Sequence, residues 1–288
     1  MLTAGDVQFE STAGIKIQAL SNFAFIMTAG DAALSAELVQ ETGHQIRDRI
    51  IAQPNNIWMI KDIVDLHIDK YNNARLKRSE AQILAPLNLD RNTFLSGQAS
   101  PHTGLVSDLT KELINFSMPS MSSIVAGIDT TGAHVYVVRD DEYTCADSVG
   151  FAAIGIGARH AQSQLMLAGQ SYNSSLTDTV LSVYVAKRRS EIAPGVGKYT
   201  EMVSVGPGNP LDFLHKDIMN KLEVEYKRII DAESTAFLEG RKEMEDYVKK
   251  LTEQAPQSGT GGVSQTPPSP EGSSGSAASH GRETQQVY

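Results

Sequence analysis

The sequence is poor in everything that marks a metalloprotein, a disulfide-stapled domain or a membrane span. It holds a single cysteine, Cys145, so it can form neither an internal disulfide nor a cysteine-rich metal site. Its seven histidines are scattered, and none has the paired spacing of a zinc-binding helix. No charged leader with a long apolar run opens the chain, and no stretch approaches membrane-spanning length. The expectation is a cytoplasmic protein with no membrane partner, no metal and no cofactor. Basic charge is also short, with 25 Lys and Arg against 34 Asp and Glu and a net charge of -9. A phosphate-binding surface needs a basic footprint, so nucleic acid is excluded as the main partner. The one tight basic run, Lys187–Arg189, reads as a solvated helix end.

What is present is enough apolar residue, 41% of 288, for one sizeable core with something appended. The single tryptophan, Trp58, reads as an anchor between helices. Cys145, in the alternating segment 142–146, reads as a small strand residue rather than a nucleophile. His160 reads as an ordinary surface or half-buried residue. From Ala255 to Tyr288 the chain is Gly, Ser, Pro, Thr and Gln with almost no large apolar residues. Such a segment cannot bury enough surface to offset its ordering entropy and is expected to be disordered.

Periodicity divides the rest. Residues 16–20 and 22–29 are two short apolar runs around a polar corner, a strand pair. Asp31 then caps a helix striped by Leu34, Leu38, Ile46, Ile50 and Ile51. A second helix is expected over 57–84, with Met59, Ile60, Ile63, Val64, Ile68 and Tyr71 on one face. Residues 85–104 read as a loop and 106–116 as a short amphipathic helix. Three strands rich in Val and Ile follow at 122–129, 134–138 and 149–155, with turns at 129–132 and 139–142. Helices over 158–167 and 176–191 precede a strand at 200–205. A long helical pattern, capped by Asp212, runs from Pro210 to Leu251, and Gly240 marks a break or a close helix contact in it. Gly155–Ala158 lacks the third glycine and the downstream acid of a dinucleotide fingerprint.

The order is two strands, two helices, three strands, two helices, one strand, which suggests sheets between helical layers. Four local features add to it: Met1–Asp6, Lys16 at a strand start, Ala29–Asp31 at a strand-to-helix corner 14 residues later, and Phe151–Ala158 leading into an Ala/Gln/Leu helix. Together they resemble the proteasome β-type subunit family and its bacterial relatives. The resemblance covers residues 1–205. It implies an α+β fold, a four-layer αββα sandwich of the N-terminal-nucleophile hydrolase type, with a C-terminal helical extension over 206–252 and the tail over 253–288.

The resemblance also implies a threonine-type endopeptidase acting in protein degradation, in which the side chain of the first residue attacks and its own amine serves as base. By position, Lys16 is the electrostatic tuner of that nucleophile, Gly30 the oxyanion donor, and Thr3 a residue that aligns the substrate backbone. Unfolded protein or peptide is the implied substrate, a homo-oligomeric ring or stacked assembly the implied state, and an ATP-dependent unfoldase the implied partner. The sequence departs from the pattern at several places. The family's nucleophile, first strand and Lys-pairing Asp precede the point where Met1 stands, and this sequence does not contain them. A late start would account for that, as would a subunit that has lost its nucleophile and serves as a scaffold. Ile156 replaces the serine of the second corner. The segment 189–195 lacks the family's Asp and Ser, with Glu191 as a candidate substitute for the Asp in the second rank around the site.

Overall fold

A computed structural model of the chain describes residues 2–4, 7–9, 16–54, 58–96, 103–207 and 209–254, with backbone alone for 2–4, 7–9, 103, 209–210 and 254. The tail expected to be disordered lies outside the described residues, as does Ile57, where the second helix is expected to start. The described chain mixes helix and sheet and forms compact units at Met1–Ala232 and Glu233–Tyr288. No helix among the described residues is long and apolar enough to cross a membrane.

Two short strands, β1 (Leu2–Ala4) and β2 (Val7–Phe9), pair with each other. The main sheet has five antiparallel strands in sequential order: β3 (Ile17–Ala19), β4 (Ala24–Gly30), β5 (Met121–Asp129), β6 (Gly132–Arg139) and β7 (Glu142–Cys145). Two-residue turns at 130–131 and 140–141 join β5 to β6 and β6 to β7, with Gly132 and Asp140 at positive φ. Between β4 and β5 come α1 (Ala32–Ala52) and α2 (Ile60–Ser79), which lie together against the sheet. Ala24 and Ile26 of β4 meet Val39 and Ile46 of α1 and Ile63 and Val64 of α2 in a dry core. At Glu80 the regular helix widens into a π turn through Leu84 and ends at a 3-10 turn holding Pro86, whose ring cannot continue it. Helix α3 (Arg91–Ser96) lies within the stretch expected to be loop, and α4 (Thr103–Asn115) is the short helix expected over 106–116. After the sheet, α5 (Ala158–Leu167) and α6 (Leu176–Ser190) pack on each other, the second capped by Ser175 through the Asp178 N–H. A hairpin of β8 (Val203–Gly206) and β9 (Asn209–Phe213) is tied to the β3–β4 corner, where the Leu211 N–H donates to the Asn22 carbonyl at 2.7 Å. The chain then enters α7 (Lys216–Gln254).

Several expectations need correction. The third strand of the Val/Ile block is β7, not 149–155. After Ala146 the chain turns back, with both Val149 and Gly150 N–H bonded to its carbonyl, and 149–155 pairs with nothing described. The last helix starts at Lys216, because 209–213 is spent on β9, and Asp212 is a strand residue rather than a cap. Ile50 and Ile51 are exposed on the last turn of α1, beyond the reach of the sheet. Helix α7 passes Gly240 unbroken, and a Cβ there would meet nothing within 4 Å. Asp31 does cap α1, accepting from the Leu34 N–H at 2.7 Å. Trp58 packs partly buried against the core, with the Arg49 guanidinium 5.1 Å from its ring, and His160 is exposed.

Candidate functional site

The first corner is set by Gly30. Its φ is 106°, and a Cβ would overlap the Ser120 carbonyl and lie 2.8 Å from Met121 Cα. Only glycine lets β4 turn into α1 this close to the start of β5. The Asp31 N–H donates to the Ser120 carbonyl at 3.1 Å. Successive N–H groups of an antiparallel strand point to opposite edges, so the Gly30 N–H faces the β3 side. Among the described residues, β3 pairs with β4 from Ile17, opposite Met27. Lys16 immediately precedes Ile17 and stands exposed at that same end of the sheet. Among the described residues it makes no ion pair with a carboxylate.

The second corner touches the first. Gly155, with φ 86°, lies where an added Cβ would be 3.2 Å from the Ala29 Cβ. Gly157, at the N-terminus of α5, would likewise meet the Ser190 Cβ at 3.0 Å. A row of close contacts therefore runs from Ala29, next to Gly30, through Gly155 and Gly157 to the C-terminal end of α6. Ile156, between the two glycines, is exposed. Thr3 lies on β1 opposite Gln8, and its side chain is outside the described residues.

Glu191 ends that row in an ion cluster. Lys187 Nζ donates to its carboxylate at 2.6 Å, and Arg188 approaches at 3.4 Å. The same Lys187 ammonium donates to the carbonyls of Gly197 and Lys198 at 2.9 and 3.0 Å, clasping the loop that follows α6. Arg188 also faces Glu223 on α7 at 3.5 Å, and the Tyr184 hydroxyl donates to that carboxylate at 2.8 Å. Lys187 and Arg188 are therefore largely buried anchors between α6, the loop and α7, not a solvated helix end. Their run in the sequence has the same look in both cases. What separates the two is Glu223, more than thirty residues away.

Two histidine clusters went unread in the sequence. His67 of α2 is fully buried. Its Nδ1 is 3.0 Å from the Thr42 hydroxyl and its Nε2 is 3.2 Å from the Ser123 hydroxyl. Thr42 Oγ1 donates to the Leu38 carbonyl at 2.7 Å, so it accepts from the Nδ1–H, and the Ser123 O–H donates to Nε2. This is the polarity of a serine–base pair, but all three groups are enclosed in the α1–α2–β5 core, where no substrate reaches them. Burial lowers the His67 pKa to about 4. His134 on β6 lies between two carboxylates, with Nδ1 2.7 Å from Asp147 and Nε2 3.3 Å from Asp129. Desolvation opposes its charge, but the Asp147 hydrogen bond and the fields of both carboxylates raise its pKa above the ordinary value. Asp129 also accepts from the Ile60 N–H at 2.9 Å. It thereby caps α2, which has no cap from its own Met59. Burial works against the Asp129 charge, and the Thr131 hydroxyl, the N–H groups of Ile60 and Thr131 and His134 overcome it, leaving a pKa of about 2.

Cys145 is exposed on the edge strand β7. Desolvation of its sulfur, to which the Asp147 carboxylate adds, raises its pKa, the opposite of what a thiolate nucleophile needs. Among the described residues no group of three or more His, Cys, Asp or Glu is arranged to hold a metal. No protein-family model matches this chain and no curated protein matches it at a significant level, so the meaning of the row from Gly30 to Glu191 rests on its own geometry.

Proposed function

We propose that this chain is a subunit of a proteasome-like particle: a four-layer αββα sandwich that acts in protein degradation by assembling with copies of itself. Two features support the layering. Strand β5 is buried continuously from Ser123 to Gly127, hence on both faces, although α1 and α2 cover only one. Strand β8 approaches β5, as a second sheet would. The observation that carries the assembly is the apolar surface of the α5–α6 region. Met166, Leu167, Tyr172 and Leu176 cluster at the α5–α6 turn and are all exposed, Leu167 to 79%. A concentration of large apolar side chains on one pair of helices and its loops marks a surface that a partner covers. Unfolded protein or peptide is the cargo such a particle takes, and an ATP-dependent unfoldase the partner that would feed it.

Light scattering on the purified full chain tests this reading. A closed oligomer is expected, and Met166→Lys with Leu167→Glu should break it into smaller species without loss of helix. A monomer at every concentration would sink the proposal.

A second reading, a working threonine-type peptidase, is favoured by one specific feature: Gly30 turns the β4–α1 corner at positive φ with its N–H on the side of the sheet that carries Lys16, as an oxyanion donor would. Three others favour a scaffold. Lys16 has no carboxylate partner among the described residues, Glu191 is already neutralised by Lys187 and Arg188, and Ile156 offers no hydroxyl.

A further inference from the structure

The hairpin that joins β5 to β6 carries a chain of polar contacts that neither corner of the candidate site uses. Asp147, just past β7, lies 2.7 Å from His134 Nδ1, and His134 Nε2 lies 2.7 Å from the Thr131 hydroxyl. That hydroxyl lies in turn 2.6 Å from Asp129 Oδ1. Three contacts this short each need a proton between the heavy atoms. Ionised carboxylates supply none, so the protons come from the ring and the hydroxyl. An imidazolium and one hydroxyl hold three: Nδ1–H donates to Asp147, Nε2–H to Thr131 Oγ1, and the Thr131 O–H to Asp129. A neutral ring and one hydroxyl hold two. However those two are placed, one contact is left with lone pair against lone pair.

The fixed ends decide which contact gives way. Asp147 is held by the Val135 N–H at 2.8 Å. Asp129 is held by the Ile60 N–H at 2.9 Å, and its side chain is 2% exposed, so water does not replace a lost donor. Thr131, by contrast, is exposed in the two-residue turn ahead of Gly132, whose φ of 137° and open surroundings leave the turn room to move. Its N–H, 2.8 Å from Asp129 Oδ1, is the turn's other tie to that carboxylate. The remaining groups around the ring leave the proton count unchanged. Tyr136 on the same strand has its ring centroid 6.1 Å away, and Tyr143 of β7 meets Tyr136 edge-on. The Cys145 thiol of β7 meets Asp147 rather than the ring. On α2, Lys61 is engaged by Asp65 at 2.6 Å and stands over the Tyr143 ring. Burial works against the His134 charge, but the Asp147 hydrogen bond and the fields of Asp129 and Asp147 raise its pKa above the ordinary value.

We propose that His134 and the Thr131 hydroxyl form a proton-operated latch on the β5–β6 turn, closed against Asp129 while the ring is protonated and open once it is neutral. Asp129 caps α2 through Ile60, and the Thr130 hydroxyl reaches Met59 Sδ at 3.5 Å, so opening the latch also loosens the start of α2. Gly30 pairs with Met121 at the opposite end of β5. The latch is therefore remote from the candidate site and stands or falls apart from the assembly reading.

Hydrogen–deuterium exchange on the full chain, corrected for the intrinsic effect of pH, tests this. Protection of the Thr131 amide should fall about tenfold as pH rises through the His134 midpoint, the equilibrium share of one net hydrogen bond. The midpoint is read from the imidazole resonance that His134→Gln removes, and in that variant the protection should not depend on pH. Thr131→Val should lower the midpoint, because it removes the contact that requires the third proton. Thr131→Ser should keep both the midpoint and the fall. Level protection in the wild type, an equal fall in His134→Gln, or a midpoint unmoved by Thr131→Val overturns the proposal.

Discussion

His67 and His134 belong to the same unit, with partners on the same β5 strand, and respond to acid in opposite ways. His67 is held by two hydroxyls in a dry core. Hydroxyls satisfy a neutral imidazole completely, but they cannot offset a charge taken out of water, so burial alone sets its pKa near 4. His134 is less buried and has a carboxylate on each ring nitrogen, so the same ring is pushed the other way. The chemistry of the partners decides, not depth alone. Below its ordinary pKa His67 binds protons in the unfolded chain that it refuses in the folded one. Stability therefore falls as pH drops from about 6.5 towards 4. His134 binds its proton more tightly when folded. Its contribution is complete below the ordinary pKa and disappears as pH rises through the raised one.

The largest expected effect comes from breaking the buried cluster. His67→Ala leaves a cavity and an unpaired Ser123 hydroxyl, and should cost about 3 kcal/mol at neutral pH by denaturant unfolding. His67→Leu, which fills the space, should cost less at pH 7. It should also remove the acid-side slope of about 1.4 kcal/mol per pH unit that the wild type shows between pH 6 and 4.5. If that slope persists in His67→Leu, another group drives acid unfolding.

A smaller effect is expected at the second cluster. Asp129→Ala removes the cap of α2 and one partner of His134, and should cost about 1 to 2 kcal/mol. His134→Gln should cost about 1 kcal/mol or less. That loss should be seen at pH 5.5 and fade as pH rises through the raised His134 pKa, the reverse of the His67 profile. A His134→Gln penalty that grows with pH would contradict the ion-pair account.

The smallest effect on stability is expected at Lys16. The side chain is exposed and Lys16→Ala should leave the melting temperature unchanged, so any loss of function cannot be blamed on folding. If the chain hydrolyses fluorogenic peptides, this variant should abolish it, since one such group is worth on the order of a hundredfold or more in rate. Activity retained in Lys16→Ala would remove Lys16 from the site and leave the scaffold reading.

Part of this was visible in the sequence. The Asp31 cap, the two-residue turns of the main sheet and the paired helices α5 and α6 depend on residues within four of one another, and their signals are local. His67 was within reach as well. It follows Ile63 by four residues and Val64 by three, on the buried stripe of α2, and a polar residue on such a stripe asks for buried partners. Strand β7 was a closer contest. Glu142–Cys145 and 149–155 both alternate or run apolar, and periodicity alone does not say which one pairs with Tyr136–Arg139. The tight turn at Asp140 and Asp141 decides it, because the shorter connection brings the nearer strand into register first.

What the sequence determined by itself is therefore most of the helices, the strands of the β3–β4 and β5–β6 pairs and the Gly30 corner. The tertiary structure alone decided which residues those segments bring together. Asp129 caps a helix that begins 69 positions before it, Glu223 turns a basic helix end into a buried anchor, and Gly155 meets Ala29 across more than a hundred residues. A cap or a turn is chosen by bonds its neighbours make. A buried charge or hydroxyl is acceptable only beside a partner that satisfies it, and that partner is brought near by packing rather than by the local chain.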